Sequence, residues 1–208
     1  CTNSFALTCV INAWNFGWIN FMMLSEMPSY LVHELGFDIE ASAVLSIVPY
    51  IAMFVMVVTF AALMEYMQFQ RGWSVKSVRQ LAMTVAFGGA SGFLLLASCT
   101  VDITQAFTYV VISQASLGAF QSGQACSYTE VSPRFAPLLN AFCNTFTALG
   151  GVISPIFVAF MIETFGTGAW KYVFCYTVLQ SVAAVALWLT FYQGEVIPEL
   201  DEPVPVPA

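Results

Sequence analysis

EVSPRFAPLLNAFCNTFTALGGVISP, residues 130–155, is the stretch on which the fold class turns. A short charged segment from Glu130 to Arg134 leads through Ala136 and Pro137 into a long apolar run. Along that run Asn140, Asn144, Thr147, Gly151 and Ser154 recur at spacings of four, three, four and three. On a helix of about 3.6 residues per turn these residues share one face. Lipid cannot satisfy an amide, so such a stripe in an apolar helix faces other helices or an aqueous cavity. The expectation is an all-α, polytopic membrane protein.

Composition points the same way. The 208 residues are 59% hydrophobic and 8% charged, with a mean hydropathy of +0.80. Soluble domains carry about 25% charged residues, so the lipid bilayer is the expected surrounding. Spans of about 20 residues divide this length into six transmembrane helices with short loops. The five Lys and Arg form no basic patch, which excludes a nucleic-acid partner. Part of the net charge of −7 comes from Glu195, Glu199, Asp201 and Glu202 in the last fourteen residues. None of the six cysteines forms CxxC, and they read as small packing residues with no metal and no disulfide framework. No cofactor is implied. The chain begins at Cys1 without an initiator Met or a signal-peptide pattern and reads as a fragment or a processed piece.

Six spans follow in order. The first, 5–24, is interrupted by Asn12, Asn15 and Asn20 beside Trp14 and Trp18, and leaves through SEMPSY at 25–30. His33, in the next connection, reads as a loop histidine. The second, 43–63, contains Pro49, which is expected to kink it. Arg71, Lys76 and Arg79 lie in the loop after it. The third, 81–98, carries Gly88 and Gly92 as GxxxG, read as helix packing. The fourth, 106–126, places Gln114 and Gln121 seven residues apart on one face. The fifth is the quoted stretch, continuing to 161. The sixth, 170–191, is almost purely apolar, as a peripheral helix would be. Residues 1–193 thus form one six-helix transmembrane domain, and 194–208 an acidic, Pro-rich, disordered cytoplasmic tail.

Loops after spans two and four hold Arg71, Lys76, Arg79 and Arg134, whereas those after one, three and five hold only Lys171. The positive-inside rule places the four-cation side, with both termini, in the cytoplasm. Asn15, Trp18, Gln114, Gln121, Asn140 and Asn144 are the candidates for a cavity wall of neutral hydrogen bonds and aromatic rings, with helix packing as the other role open to each. Arg79 and Arg134 are the candidate gate or inner-loop charges. Glu26 is the acid at the outer end of the first span.

Four motifs carry a family resemblance. Trp18 with Leu24-Ser25-Glu26-Met27-Pro28-Ser29-Tyr30-Leu31 is similar to W…LTELPTYM, and Leu45-Ser46-Ile47-Val48-Pro49-Tyr50 to LSALPY. Ser74-Val75-Lys76-Ser77-Val78-Arg79 is similar to STTTVRK. Ser132-Pro133-Arg134-Phe135-Ala136, Asn144-Thr145-Phe146, Gly151 and Pro155 align without gaps to APRYAG…SNTFA…G…GP, and Gly194-Glu195 matches a terminal GE. Together these resemble the C-terminal six-helix half of a major facilitator superfamily transporter of the anion:cation symporter branch, which includes sialin, vesicular glutamate and sodium–phosphate transporters. Departures are Phe21 for a tyrosine, Pro137 for a glycine, Asn140 for an apolar residue, Gln80 for the second base of an RK pair and Glu65 for an aspartate.

The resemblance implies secondary active transport of organic or inorganic anions, of phosphate or carboxylate type, coupled to Na+ or H+. The implied partners are the lipid bilayer, a small anionic solute and a missing N-terminal six-helix half that would hold the anion-binding arginines. In agreement, no cation of this chain falls in mid-span. The alternatives are a six-helix protein that transports nothing and serves assembly, or a homodimer of halves. An intramembrane enzyme would need HExxH, paired buried aspartates, or Ser and His within spans, and none is present.

Overall fold

In the computed structural model, residues 2–166 and 168–196 are described, and they form six long helical rods joined by short connections. The first rod is α1 (Thr2–His33). The second joins α2 (Ile39–Leu45) and α3 (Val48–Phe69). The third runs from α4 (Val75–Met83) through π-turns at Thr84–Gly89 into α5 (Ala90–Cys99). The fourth runs from α6 (Ile103–Leu117) through π-turns at Gln121–Ala125 into α7 (Cys126–Val131). The last two are α8 (Ala136–Phe165) and α9 (Ala169–Phe191). The connections put residues 69–75, 131–136 and 192–196 at one end, the terminus side, and 33–39, 99–103, 165–166 and 168–169 at the other, the far side.

Four rods, Ile39–Phe69, Val75–Cys99, Ala136–Phe165 and Ala169–Phe191, are long and apolar enough to cross a membrane. The remaining two have the length but are diluted by amides: Asn12, Asn15 and Asn20 in α1, and Gln105, Gln114, Gln121 and Gln124 in the fourth rod. The all-α, six-helix architecture of an integral membrane protein stands.

Several boundaries move. α1 does not end near residue 24 but continues through SEMPSY to His33, 32 residues or about 48 Å at 1.5 Å per residue. Met23, Met27, Tyr30 and Leu31 keep one apolar face buried through those turns, and Tyr30 packs edge-to-face on Trp170. Tertiary packing of that face overrides Pro28 and the polar residues around it. Pro49 does not kink a span from within. The second rod breaks at Ser46-Ile47, and Pro49 stands in the first turn of α3, where its missing N–H has no partner to lose. The 74–79 segment is helix rather than loop: Ser74 caps α4 by accepting from the Ser77 N–H at 3.2 Å. Glu130 likewise belongs to α7. Among the described residues the Gly88/Gly92 pair makes no close helix contact: both glycines are exposed, and a Cβ on Gly92 would meet nothing within 4 Å. The tail is described only to Val196, so the reading of 197–208 lies outside the described residues.

α1 holds the core together by packing on α8, α9, α6 and α2. Its contact with α8 is main chain on main chain. A Cβ on Gly17 would lie 2.0 Å from the Thr147 carbonyl oxygen, and one on Gly150 would lie 2.6 Å from that of Trp14. Thr147 adds a hydrogen bond from Oγ1 to the Ala13 carbonyl at 3.1 Å. In lipid, such close approach replaces the hydrophobic drive that water would supply.

Candidate functional site

Three polar environments lie along the bundle. The first is the α1–α9 seam. Asn15 donates from Nδ2 to Ser181 Oγ at 3.1 Å and accepts back at Oδ1 from the same hydroxyl at 3.3 Å. Trp18 Nε1 donates to Thr177 Oγ1 at 3.1 Å, and Trp14 Nε1 to Gln180 Oε1 at 3.2 Å. Asn15 and Trp18 are both 1% exposed. They therefore stitch α1 to α9.

The second environment is an amide cluster near the middle of the rods, where α1, α3 and α6 meet. Gln114 Nε2 donates to Asn20 Oδ1 at 3.0 Å and faces Met53 Sδ at 3.5 Å. The Tyr50 phenol donates to the Asn20 main-chain carbonyl at 3.4 Å. Gln114 is buried, yet its Oε1 has no donor among the described residues. An unmade bond of this kind costs about 1–3 kcal/mol. The cluster thus holds one spare acceptor and no charge.

The third is a charged cluster on the terminus side. Arg79, 9% exposed, sits in the second turn of α4. Its Nε lies 3.1 Å from each Glu130 oxygen, and Nη2 donates to Oε1 at 2.6 Å. Nη1 donates at 2.6 Å to the carbonyl of Ser122, which lies in the π-turns where the regular helical ladder is interrupted. The Tyr192 phenol, just past α9, donates to Glu130 Oε2 at 3.0 Å. Burial and the neighbouring carboxylate push that phenol well above its ordinary range, so it stays protonated. A cavity of about 370 Å³ opens beside the pair, lined by Glu65, Gln68, Cys126 and others. Nearby, a Cβ on Gly194 of the terminal GE would lie 2.9 Å from the Lys76 main-chain nitrogen, and φ there is +74°. Both conditions call for glycine.

The remaining candidates spread out. Gln121, Asn140 and Asn144 are exposed on the side of the bundle, whereas Thr147 and Gly151 of the Asn140 stripe meet α1 and Ser154 is buried. Arg134 is exposed on the link between α7 and α8, with its guanidinium 5.4 Å over the Phe135 ring. Glu26 is half-buried within α1 rather than at its end. The six cavity candidates therefore occupy three surroundings and not one. Among the described residues no group of three His, Cys, Asp or Glu is placed to hold a metal.

Sequence reasoning passed over Asn20 as a site residue and missed Glu130, Thr177 and Ser181. Asn20 was flagged by its place in an apolar span. Arg79 and Glu130 are 51 residues apart, and no local pattern joins them.

No family model matches the chain. It is 25% identical over 188 residues to sialin of Ovis aries, covering 90% of this chain and 38% of sialin. It is 27% identical over 180 residues to sodium-dependent phosphate transport protein 1, chloroplastic, of Arabidopsis thaliana, covering 86% of this chain and 34% of that protein. Rice probable anion transporter 4, chloroplastic, is 26% identical over 190 residues, covering 91% and 32%. The chain thus spans about a third or slightly more of these relatives' length. The inward-open xylose transporter XylE from E. coli superposes with a TM-score of 0.70 at 14% identity, over 96% of this chain and 50% of that one. The chain has the fold of one half of a major facilitator superfamily transporter, and its sequence relatives lie in the anion:cation symporter branch of that superfamily.

Proposed function

We propose that this chain is the C-terminal half of a secondary active transporter that moves small anions, of phosphate or carboxylate type, coupled to Na+ or H+. The observation that carries the reading is the exposure of Asn140 and Asn144 on the apolar α8 and of Gln121 on the fourth rod. Lipid leaves such amides unsatisfied, so these positions fit against water or a second set of helices. The relatives, transporters by name, support it, as does the span of half of XylE.

Transport would proceed by rocking of two halves about a central site. The Asn20–Gln114 cluster, with the spare Gln114 acceptor, would contribute neutral hydrogen bonds to a solute, and the N-terminal half would supply positive charge. The Arg79–Glu130–Tyr192 cluster would lock the third and fourth rods at the terminus side in one state, with Arg134 as a nearby anchoring charge. Four of the five cations lie on that side, which supports a cytoplasmic orientation for it and for both termini.

The test is uptake by the intact native polypeptide in liposomes, with labelled phosphate and labelled carboxylates under a Na+ gradient, a proton gradient or neither. Saturable uptake under one gradient is expected. Gln114→Leu should lower it about tenfold, the equivalent of one strong hydrogen bond. No uptake of any anion under either gradient would leave the non-transporting six-helix reading in its place.

A further inference from the structure

At the far side, a cavity of about 220 Å³ opens among the ends of α1, α5 and α9, lined by Tyr30, Glu34, Ser98, Trp170 and Lys171 among others. It lies away from the amide cluster, and the length of the bundle separates it from the Arg79–Glu130 pair. Trp170 is 3% exposed, and its indole N–H has no acceptor among the described residues. That nitrogen is shielded in the cavity wall, and because a buried donor left unmade is costly, a small ring shift that brought it to a ligand oxygen would be repaid. Glu34 and Lys171 carry opposite charges into the same cavity without pairing. The ion pair found among the described residues is Arg79–Glu130. One Glu34 oxygen instead accepts from the Gly168 main-chain N–H at 3.3 Å. The cavity therefore offers a cation and a carboxylate held apart, with a shielded, unpartnered donor in its wall.

Its position names the source of a ligand. Ser98, Trp170 and Lys171 of the lining lie at the ends of rods apolar enough to cross a bilayer, which is the level of lipid headgroups. Next to it, α5 and α9 expose Leu95, Leu96 and Tyr172, the kind of surface that acyl chains cover.

We propose that this cavity holds the headgroup of a phospholipid bearing phosphoethanolamine. The phosphate oxygens accept from the Lys171 ammonium and the Trp170 indole N–H, and the primary ammonium donates to the Glu34 carboxylate. A choline headgroup has no N–H to give to Glu34, and a glycerol headgroup meets that carboxylate with neutral hydroxyls only, without the charge of an ammonium. The inference concerns the membrane-embedded chain and is independent of which solute is carried. A soluble phosphoethanolamine ester shares the chemistry, and the placement at the headgroup level favours the lipid.

Native mass spectrometry of the intact polypeptide, exposed to equimolar phosphatidylethanolamine, phosphatidylcholine and phosphatidylglycerol, tests this. Phosphatidylethanolamine should be retained about fivefold over either of the others, and Lys171→Ala or Glu34→Gln should each remove about that factor, one net hydrogen bond. Trp170→Phe keeps the ring and its packing, so it guards against misfolding while also lowering retention. Equal retention of the three lipids, or retention indifferent to all three substitutions, overturns the proposal. Glycerophosphoethanolamine, added as a competitor at equal concentration, should not displace the lipid; displacement would mean a site for a soluble ester instead.

Discussion

α1 meets its two principal neighbours by opposite means. Toward α8 it presents Gly17 and its own main chain, so close that a single added carbon would strike the Thr147 carbonyl. Toward α9 it presents Trp14, Asn15 and Trp18, each hydrogen-bonded to a side chain across the seam. The first seam works by the absence of side chains, the second by their chemistry. Burial of apolar surface does not favour one helix over lipid, so both kinds of contact serve where packing and hydrogen bonds must hold a bundle together. They differ in tolerance: a main-chain contact has nothing that can rotate away, whereas a side-chain bond can be lost singly.

The largest expected effect comes from breaking the glycine seam. Gly17→Leu should cost at least about 3 kcal/mol, the upper end for overpacking, and abolish the monodisperse peak on size exclusion of detergent extracts. A Gly17→Leu variant that elutes and melts like the parent would show that the seam is not as close as described. Next comes the charged cluster. Glu130→Ala leaves Arg79 buried and unpaired and should cost about 3 kcal/mol in thermal unfolding. The double variant Arg79→Met with Glu130→Ala should recover much of that loss, because the cost lies in the unpaired charge. A double variant no better than the single one would assign the loss to packing.

The hydrogen-bonded seam should yield less. Trp18→Phe and Thr177→Val, combined in a double-mutant cycle, should give a coupling of about 0.6 kcal/mol, typical for bonds between membrane helices. A coupling several times larger would make the two seams equals. Gly92→Ala provides the contrast within glycines. Gly92 has open space around it, and Ala favours helix by up to about 1 kcal/mol, so the melting midpoint should hold or rise. A fall would mean that this exposed face is occupied in the assembled protein. Asn144→Leu, the mildest in stability, should stay within about 0.5 kcal/mol of the parent. Its effect should appear in liposome uptake, and unchanged uptake would remove Asn144 from the solute-facing surface.

Much of the fold was legible from local pattern. The six apolar runs marked six rods, and Asn15 and Trp18 of the first run, candidates for a cavity wall or for packing, proved to be packing residues hydrogen-bonded to α9. Boundaries drifted where tertiary packing overrode local signals, as when Met27, Tyr30 and Leu31 carried α1 past Pro28. The candidate site was less legible. Asn15 and Gln114 look alike as amides in apolar spans, yet one is taken up by Ser181 and the other keeps an unpaired oxygen. The same holds for glycines: GxxxG at Gly88 and Gly92 faces outward, while Gly17, in no motif, makes the closest contact.

The sequence by itself determined that the chain is helical, that its surroundings are apolar, and which residues share a helix face. Periodicity and composition suffice for that, since both are properties of one helix at a time. Only the tertiary structure decided what each face meets: α8 for Gly17, α9 for Trp18, Glu130 for Arg79 across 51 residues. In water, hydrophobicity tells a buried face from an exposed one. In a bilayer both sides of a helix are apolar, so partner choice rests on shape and on hydrogen bonds between distant residues, and neither can be read from one helix alone.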